Sequence, residues 1–368
     1  MIEAILIVIS ILLVLQLILV LWNKRYFIGA PQHDDSTSHL KVSVLIPARN
    51  EEANIDACLT HVFKQSKMPY EVIVLNDHST DQTSEILDDW QNKQDKLKVL
   101  DGKSLPEDWL GKSFACYQLS QEASGDWFLF LDADTRIEEH AIASLLPVLD
   151  QQQKGIVSGF PRQITKTLIE KLVVPMMMVT IMLHLPIKWV QTRQDYRFAA
   201  AHGGFIAVEK ASYQNSGGHK AIKSSLVDDM ELFKLIKKSN DPARLLKVDD
   251  IVSMRMYHGF RSVWLGYQKN MFAGVNRSVF LLVVVMVYYF VLFILPLMFI
   301  GQASLTLIAL LYLLGVIIKM LIDVTNKVPF WISFLMPISV LLFIAIGVDS
   351  MIRSLTKQGY NWKGRRYS

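Results

Sequence analysis

Residues 126–136 read DWFLFLDADTR. Trp127 to Leu131 are apolar or aromatic without a break, and Asp132 and Asp134 follow with one alanine between them. An unalternating run of that kind predicts a strand buried on both faces, as in a parallel sheet. Such a strand ends where charge begins, and ligands of open α/β sheets gather beyond the carboxyl ends of strands. Two carboxylates there make either a polar turn or a ligand site, and residues elsewhere have to decide which.

Working outward, the pattern alternates strand and helix. KVSVLIPA (41–48), YEVIVLND (70–77), KLKVL (96–100) and WFLFLD (127–132) read as strands. NEEANIDACLTHVFKQ, STDQTSEILDDWQN and KSFACYQLSQEA between them read as helices, the second with Ser79 or Thr80 as its cap. That alternation predicts an α/β domain with a parallel sheet and right-handed crossovers. Three of the strands end in polar clusters, ARNEE, NDHSTD and DADTR. Three such ends on one sheet edge describe a ligand cleft better than a set of turns.

The 368 residues are 51% hydrophobic, with mean hydropathy +0.28, and the excess is localised. Residues 4–22 are apolar over a bilayer-spanning length and lack a cleavage site, which reads as an anchor (1–23) rather than a removed signal. Lys24 and Arg25 place the next segments in the cytoplasm: a linker (24–40) and a globular domain (41–277). Residues 278–300, 303–322 and 329–349 are again apolar and near spanning length, giving membrane segments over 278–349 and a basic cytoplasmic tail over 350–368. Three full crossings would put that tail outside, so two crossings plus one re-entrant segment, broken at Pro296 or Pro337, fit the charge bias better. LIEKLVVPMMMVTIMLHLPIKWV (168–190) is apolar enough to span. A crossing there would put Asp229 and Asp132 on opposite sides, so an in-plane interfacial helix is expected, with a buried core helix as the alternative. Cys58 and Cys116 are the only cysteines, and neither a disulfide framework nor a zinc site is indicated. Net charge is +4, with basic residues beside the apolar segments, which suits an anionic membrane surface and not nucleic acid. Nothing in the sequence sets an oligomeric state.

PARNEE (47–52), NDHSTD (76–81), GKSFACYQ (111–118) and DAD (132–134), in this order, resemble the inverting family 2 glycosyltransferases of GT-A fold. The resemblance covers roughly 41–277 and continues into WKGRRYS at the C-terminus. With GGHK (217–220), it is similar to the branch that glucosylates a C30 carotenoid acid; LPEDWLGKSFAC (105–116) and DAD also resemble a hopanoid-associated branch. The resemblance implies a UDP-sugar donor, Mg²⁺ or Mn²⁺, a lipid acceptor that is a carotenoid acid, and a cell-membrane location.

It also assigns residues. Asp132 and Asp134 match the DxD pair: Asp134 as the metal ligand, Asp132 nearer the ribose and metal-bound water. A hard divalent cation held by carboxylates neutralises a departing diphosphate. Asp77 matches the acid that accepts the uracil N–H, or else caps a helix. Glu51 orients the nucleotide loop, or else favours a helix N-terminus. Lys112, ahead of a predicted helix, faces phosphate or is a solvated lysine. Within SSLVDDMELFKLIKK (224–238), Asp228 and Asp229 stand where the family has Glu-Asp, making Asp229 the catalytic base. A carboxylic acid acceptor would arrive ionised at neutral pH, so Asp229 would then orient it or hold a sugar hydroxyl. The QxxRW motif of many relatives is absent from MRMYHGFRSVWLGYQKN (254–270); Arg255, Arg261 and Lys269 are possible substitutes for its phosphate contacts. His202 and His219 sit in glycine-rich turns without metal-ligand spacing and read as acceptor-loop or structural residues. Two rivals are a nucleotidyltransferase, which needs a glycine-rich triphosphate loop that PARNEE is not, and a non-catalytic scaffold, which predicts loss of the acidic set.

Overall fold

Val42–Ala48 (β1) is buried along nearly its whole length because it lies inside the sheet with a strand on each side. A computed structural model describes residues 1–31, 38–356, 360–362 and 365–367. Positions 32–37 of the expected linker, and 357–359, 363–364 and 368 of the expected tail, lie outside the described residues.

The chain divides into two units. One comprises Phe27–Arg162 and Ile187–Arg255. Its strands are β1, Glu71–Asn76 (β2), Leu97–Asp101 (β3), Trp127–Phe130 (β4), Thr135–Ile137 (β5), Ile156–Ser158 (β6), Ile206–Glu209 (β7), Ala243–Leu245 (β8) and Val252–Met254 (β9). Seven of them form one sheet in the order β3-β2-β1-β4-β7-β6-β8. β1 to β4 run parallel, with Leu45 opposite Ile73 on one side and Phe130 on the other. β7 runs antiparallel to both β4 and β6. The sheet is therefore mixed, which corrects the all-parallel expectation. IAVE is a short apolar strand that follows a glycine pair and runs directly into helix Lys210–Ser216, and its local pattern carries no direction. Val44, Ile46, Val72, Val74 and Leu129 join Leu145 and Leu149 of helix Ala141–Gln152 in the core.

Three helices begin later than the pattern predicts, Ile55–Phe63, Thr83–Gln91 and Asp228–Lys238, while Gly111–Glu122 begins one residue earlier. Ser79 and Thr80 do not cap the second. Gln82 is its N-cap residue, and the Thr83 N–H donates to Asp81 Oδ1 at 3.0 Å. Ser79 and Thr80 instead join two loops: Asn50 N–H donates to Ser79 Oγ at 3.0 Å, and Thr80 N–H to Asn50 Oδ1 at 2.8 Å.

The other unit comprises Met1–Tyr26, Gln163–Pro186 and Met256–Ser368. Three of its helical stretches are long and apolar enough to cross a membrane: Ile2–Tyr26, Leu305–Thr325 and Phe330–Leu355. The expected segment at 278–300 differs. Its helix, Val279–Phe293, has only 15 residues and is bent 117° from Gly259–Gly274, the two parted by left-handed Asn276 and Arg277. The helix stops at Ile294, just ahead of Pro296, whereas Pro337 lies in the first turn of Met336–Leu355 and breaks nothing. Residues 168–190 form no single helix. They make Leu168–Val173, Met176–His184 and the start of Ile187–Thr192, punctuated by Pro175 and Pro186. Asn23, fully buried on the N-terminal helix, donates to the carbonyls of Met182 and Leu185, both at 2.9 Å, and so satisfies the C-terminal end of Met176–His184.

Candidate functional site

The two acids of the opening motif sit on the short link between β4 and β5. Leu131 N–H still bonds the Leu45 carbonyl at 3.0 Å, and Thr135 N–H closes the turn on the Asp132 carbonyl at 2.9 Å. Arg136 braces it from behind, donating to the carbonyls of Ala133 and Thr135. β5 is in turn held antiparallel to β9. Asp132 and Asp134 are left half-buried at the sheet edge.

Lys112 reaches the same place from another element. It lies in the first turn of Gly111–Glu122, inside the helix and not ahead of it, and its Nζ is 2.6 Å from Asp132 Oδ1. The start of that helix is tied to the loop before Asp228 by the Leu110 N–H, which donates to the Lys223 carbonyl at 2.8 Å, and by a Lys223–Asp108 ion pair. Burial works against the Lys112 charge, but Asp132 and Asp228 outweigh it and hold the ammonium well above the ordinary lysine range.

Gly203, on the loop before β7, joins the two acidic loops. Its N–H donates to Asp229 Oδ2 at 3.0 Å, and a Cβ there would fall 2.6 Å from Lys112 Nζ and 3.3 Å from Asp132 Oδ2. Thr135 Oγ1 donates to the Gly204 carbonyl at 3.2 Å, pinning this loop to β5. Asp229, in the first turn of Asp228–Lys238, also accepts from the Met230 N–H at 2.7 Å. Burial, then the adjacent charge of Asp228, push its carboxyl up to about 6 against the pull of Lys112 and the two N–H groups.

Lys112, Asp132, Gly203, Asp228 and Asp229 line one recess, open to solvent, with Pro47, Phe130, Ile206, Cys116 and His219. Asp77, Glu51 and Asp134 are not among its walls. Asp77 lies past the end of β2 and is 6% exposed; its N–H donates to the Ala48 carbonyl at 2.8 Å, and the Asp77 carbonyl accepts from the Arg49 guanidinium at 2.5 Å. It does not cap the following helix. Glu51 shapes the start of Ile55–Phe63: its carbonyl accepts from Asn54 and Ile55, and its carboxylate accepts from Asn54 Nδ2 at 2.9 Å. Asn50 and His78, beside these acids, both take left-handed backbone. Among the described residues, no three His, Cys, Asp or Glu side chains converge as a ready-made cation cage. Arg255 follows β9 directly, whereas Arg261 and Lys269 belong to helix Gly259–Gly274 of the other unit.

Gly203, Asp228 and His219 carry more of this recess than their sequence context signals. His202 and His219 are both buried, which pushes each imidazole down to about 4. His202 is engaged in structure, its Nδ1 accepting from the Gly204 N–H at 3.0 Å. Cys116, although in the wall, is held well above the ordinary thiol range by burial and Asp228, and is not an activated nucleophile.

A mixed α/β sheet with acids gathered past its parallel strands is the GT-A arrangement, and residues 43–209 match the sequence profile of Glycosyl transferase family 2. The chain belongs to that family and is a glycosyltransferase. It is 30% identical over 263 residues to the 4,4'-diaponeurosporenoate glycosyltransferase of Staphylococcus aureus (strain USA300), covering 70% of this chain and 67% of that protein. The 4,4'-diaponeurosporenoate glycosyltransferase of Staphylococcus haemolyticus is 27% identical over 261 residues, covering 70% and 68%. Among solved structures, the mannosyltransferase PcManGT from Pyrobaculum calidifontis, in complex with GDP-Man and Mn²⁺, superposes with a TM-score of 0.59 at 17% identity. That match covers 97% of this chain and 100% of PcManGT.

Proposed function

We propose that this protein transfers glucose from UDP-glucose, with inversion, to the carboxyl group of a C30 carotenoid acid, forming a glycosyl ester at the cell membrane. The observation that carries the reading is the meeting of Lys112, Asp132, Asp228 and Asp229 in one recess beyond β4, in a chain whose relatives bear a carotenoid-acid transferase name. Sheet order supplies the scale. β2 lies two strands from β4, about 10 Å across the sheet at ordinary strand spacing. An extended sugar nucleotide fits that span, with its base at Asp77 and its sugar in the recess.

In this reading the buried Asp77 carboxylate accepts the uracil N–H, and Glu51 keeps the β1 loop in shape beside it. Asp132 and Asp134 are hard oxygen donors, half-exposed and too few to saturate an ion, which fits a Mg²⁺ or Mn²⁺ completed by the donor's own phosphates. Such a cation, when bound, offsets charge on the departing diphosphate. Lys112 already stands on Asp132 and is within reach of the same phosphates. Asp229 is ionised above pH 6 and faces the recess; it takes the proton of a hydroxyl acceptor, or orients a carboxylate acceptor that arrives ionised. The catalytic unit is then cytoplasmic, following Lys24 and Arg25 at the end of the first apolar helix.

The test is to incubate membranes containing the protein with labelled UDP-glucose and extracted lipids, and to identify the labelled product by mass. A glucosyl ester of a carotenoid acid is the expected product, and it should vanish in Asp134→Ala and Asp229→Ala proteins of equal abundance. Label in a hopanoid or another lipid would reassign the acceptor. UDP-sugar binding without turnover on any lipid would leave a scaffold.

A further inference from the structure

His219 lies on SGGHK (216–220), where helix Lys210–Ser216 ends and Gly217 and Gly218 both take left-handed backbone, with φ of 87° and 49°. Gly218 is doubly constrained, since a Cβ there would run into the Tyr213 ring. The turn folds His219 back over Tyr213: the His219 N–H donates to the Tyr213 hydroxyl at 3.1 Å, and that hydroxyl lies 2.9 Å from His219 Nδ1. Phe130 holds the imidazole edge-on, ring centres 5.1 Å apart. His219 is 3% exposed, and that remnant belongs to the recess it lines.

The Tyr213 hydroxyl takes the amide proton and shares the second bond with Nδ1, which leaves Nε2 as the ring nitrogen turned to the recess. Among the described residues nothing hydrogen-bonds Nε2. A nearly buried imidazole with one nitrogen fixed and the other unengaged in a cavity wall is built to meet a ligand, because an unmade buried hydrogen bond is costly. The chemistry of that ligand is set by the other walls. Three carboxylates, Asp132, Asp228 and Asp229, face one ammonium, Lys112, which repels a bare phosphate and accepts hydroxyl donors. Phe130 and Ile206 offer apolar faces to carbon-bound hydrogens. The recess is narrow and open to solvent, so it takes part of a sugar nucleotide and not the whole. A pyranose supplies what is asked: hydroxyls that donate to carboxylates and that can meet Nε2 as donor or acceptor.

We propose that His219, fixed by Tyr213 and the Gly217–Gly218 turn, reads a hydroxyl of the donor hexose and sets which sugar the recess accepts. This rests on the recess being the donor-sugar pocket of the transferase proposed above. Full-length protein is assayed with UDP-hexoses that differ at one hydroxyl (UDP-glucose, UDP-galactose and monodeoxy analogues), and UDP binding is measured separately. His219→Phe is expected to lose roughly 10- to 100-fold in kcat/KM for the preferred hexose and to narrow the ratio between hexoses, with UDP affinity unchanged. His219→Gln, which keeps an N–H, should recover part of the ratio. An unaltered hexose ratio in His219→Phe with intact UDP binding overturns the proposal. Should His219→Phe fail to bind UDP, Tyr213→Phe decides: a smaller shift in the same ratio supports the assignment, and no shift overturns it. Wild-type protein that binds UDP yet distinguishes no hexose overturns the donor-sugar reading and this proposal together.

Discussion

At Gly203 a single methyl group would press on an ion pair, because the Lys112 ammonium occupies the space where a Cβ would go. The ammonium is the free end of a flexible chain, so Gly203→Ala should fold while displacing Lys112 from Asp132. We expect a loss of roughly tenfold or more in transfer rate with little change in melting temperature, checked by kinetics and thermal unfolding on one preparation. Asp229 behaves in the opposite way. Its folded-state carboxyl sits near 6, above its usual 3.8, so the native state holds an extra proton between those values. The stability this group lends is full below about pH 4 and is lost as pH rises through 6. Asp229→Asn should therefore raise the melting temperature at pH 7.5 by a few degrees while removing transfer activity. In the wild type, kcat/KM should fall on the acid side with a midpoint near 6, and a pH profile of Asp228→Asn should show that midpoint lower. Asp77, Asp132 and Asp134 were legible in the sequence because they follow apolar strand runs, whereas Asp228 and Asp229 were legible only through the family resemblance. Gly203 and His219 were not, because their roles depend on what a distant segment brings alongside.

At the scale of elements, the four parallel strands could be read from their runs, and β7 could not. Its antiparallel entry between β4 and β6 carries the Gly203 loop back across the end of β4, so the strand that went unread assembles the recess. Later helix starts have a related reason: the loop side chains of Asn50 and Asp81 accept the Thr80 and Thr83 N–H groups where the helix would otherwise begin. In the membrane-helix unit, Lys319 and Asp323 form a fully buried pair at 2.5 Å, one turn apart on Leu305–Thr325, and Ser333 Oγ donates to Asp323 at 2.8 Å. This locks the helix to the adjoining 3₁₀ turn, Phe330–Leu335. Lys319→Met would strand the carboxylate and should cost about 3–5 kcal/mol, whereas Lys319→Met with Asp323→Leu should recover most of it. Thermal unfolding of both proteins in detergent measures the difference.

At the scale of the whole chain, apolar length was the clearest signal and the path of those segments the least. Hydropathy finds stretches, but Asn276, Arg277 and Ile294 decide where a stretch turns, and they do so through backbone angles that composition does not encode. Three helices of spanning length predict that an alkaline carbonate wash leaves the protein in the membrane pellet; recovery in the supernatant would contradict that reading.

The ammonium seated on Asp132 bears on the order of events. Before any donor arrives, this carboxylate already has a counterion, and a metal from solution would have to evict it. A diphosphate offers Lys112 somewhere else to go. Titration of Mn²⁺ into the protein alone should therefore show weak uptake, and the same titration with UDP present should show tight, saturable uptake. A side chain placed in this way would keep the empty enzyme from trapping stray cations and let nucleotide and ion dock as one cargo.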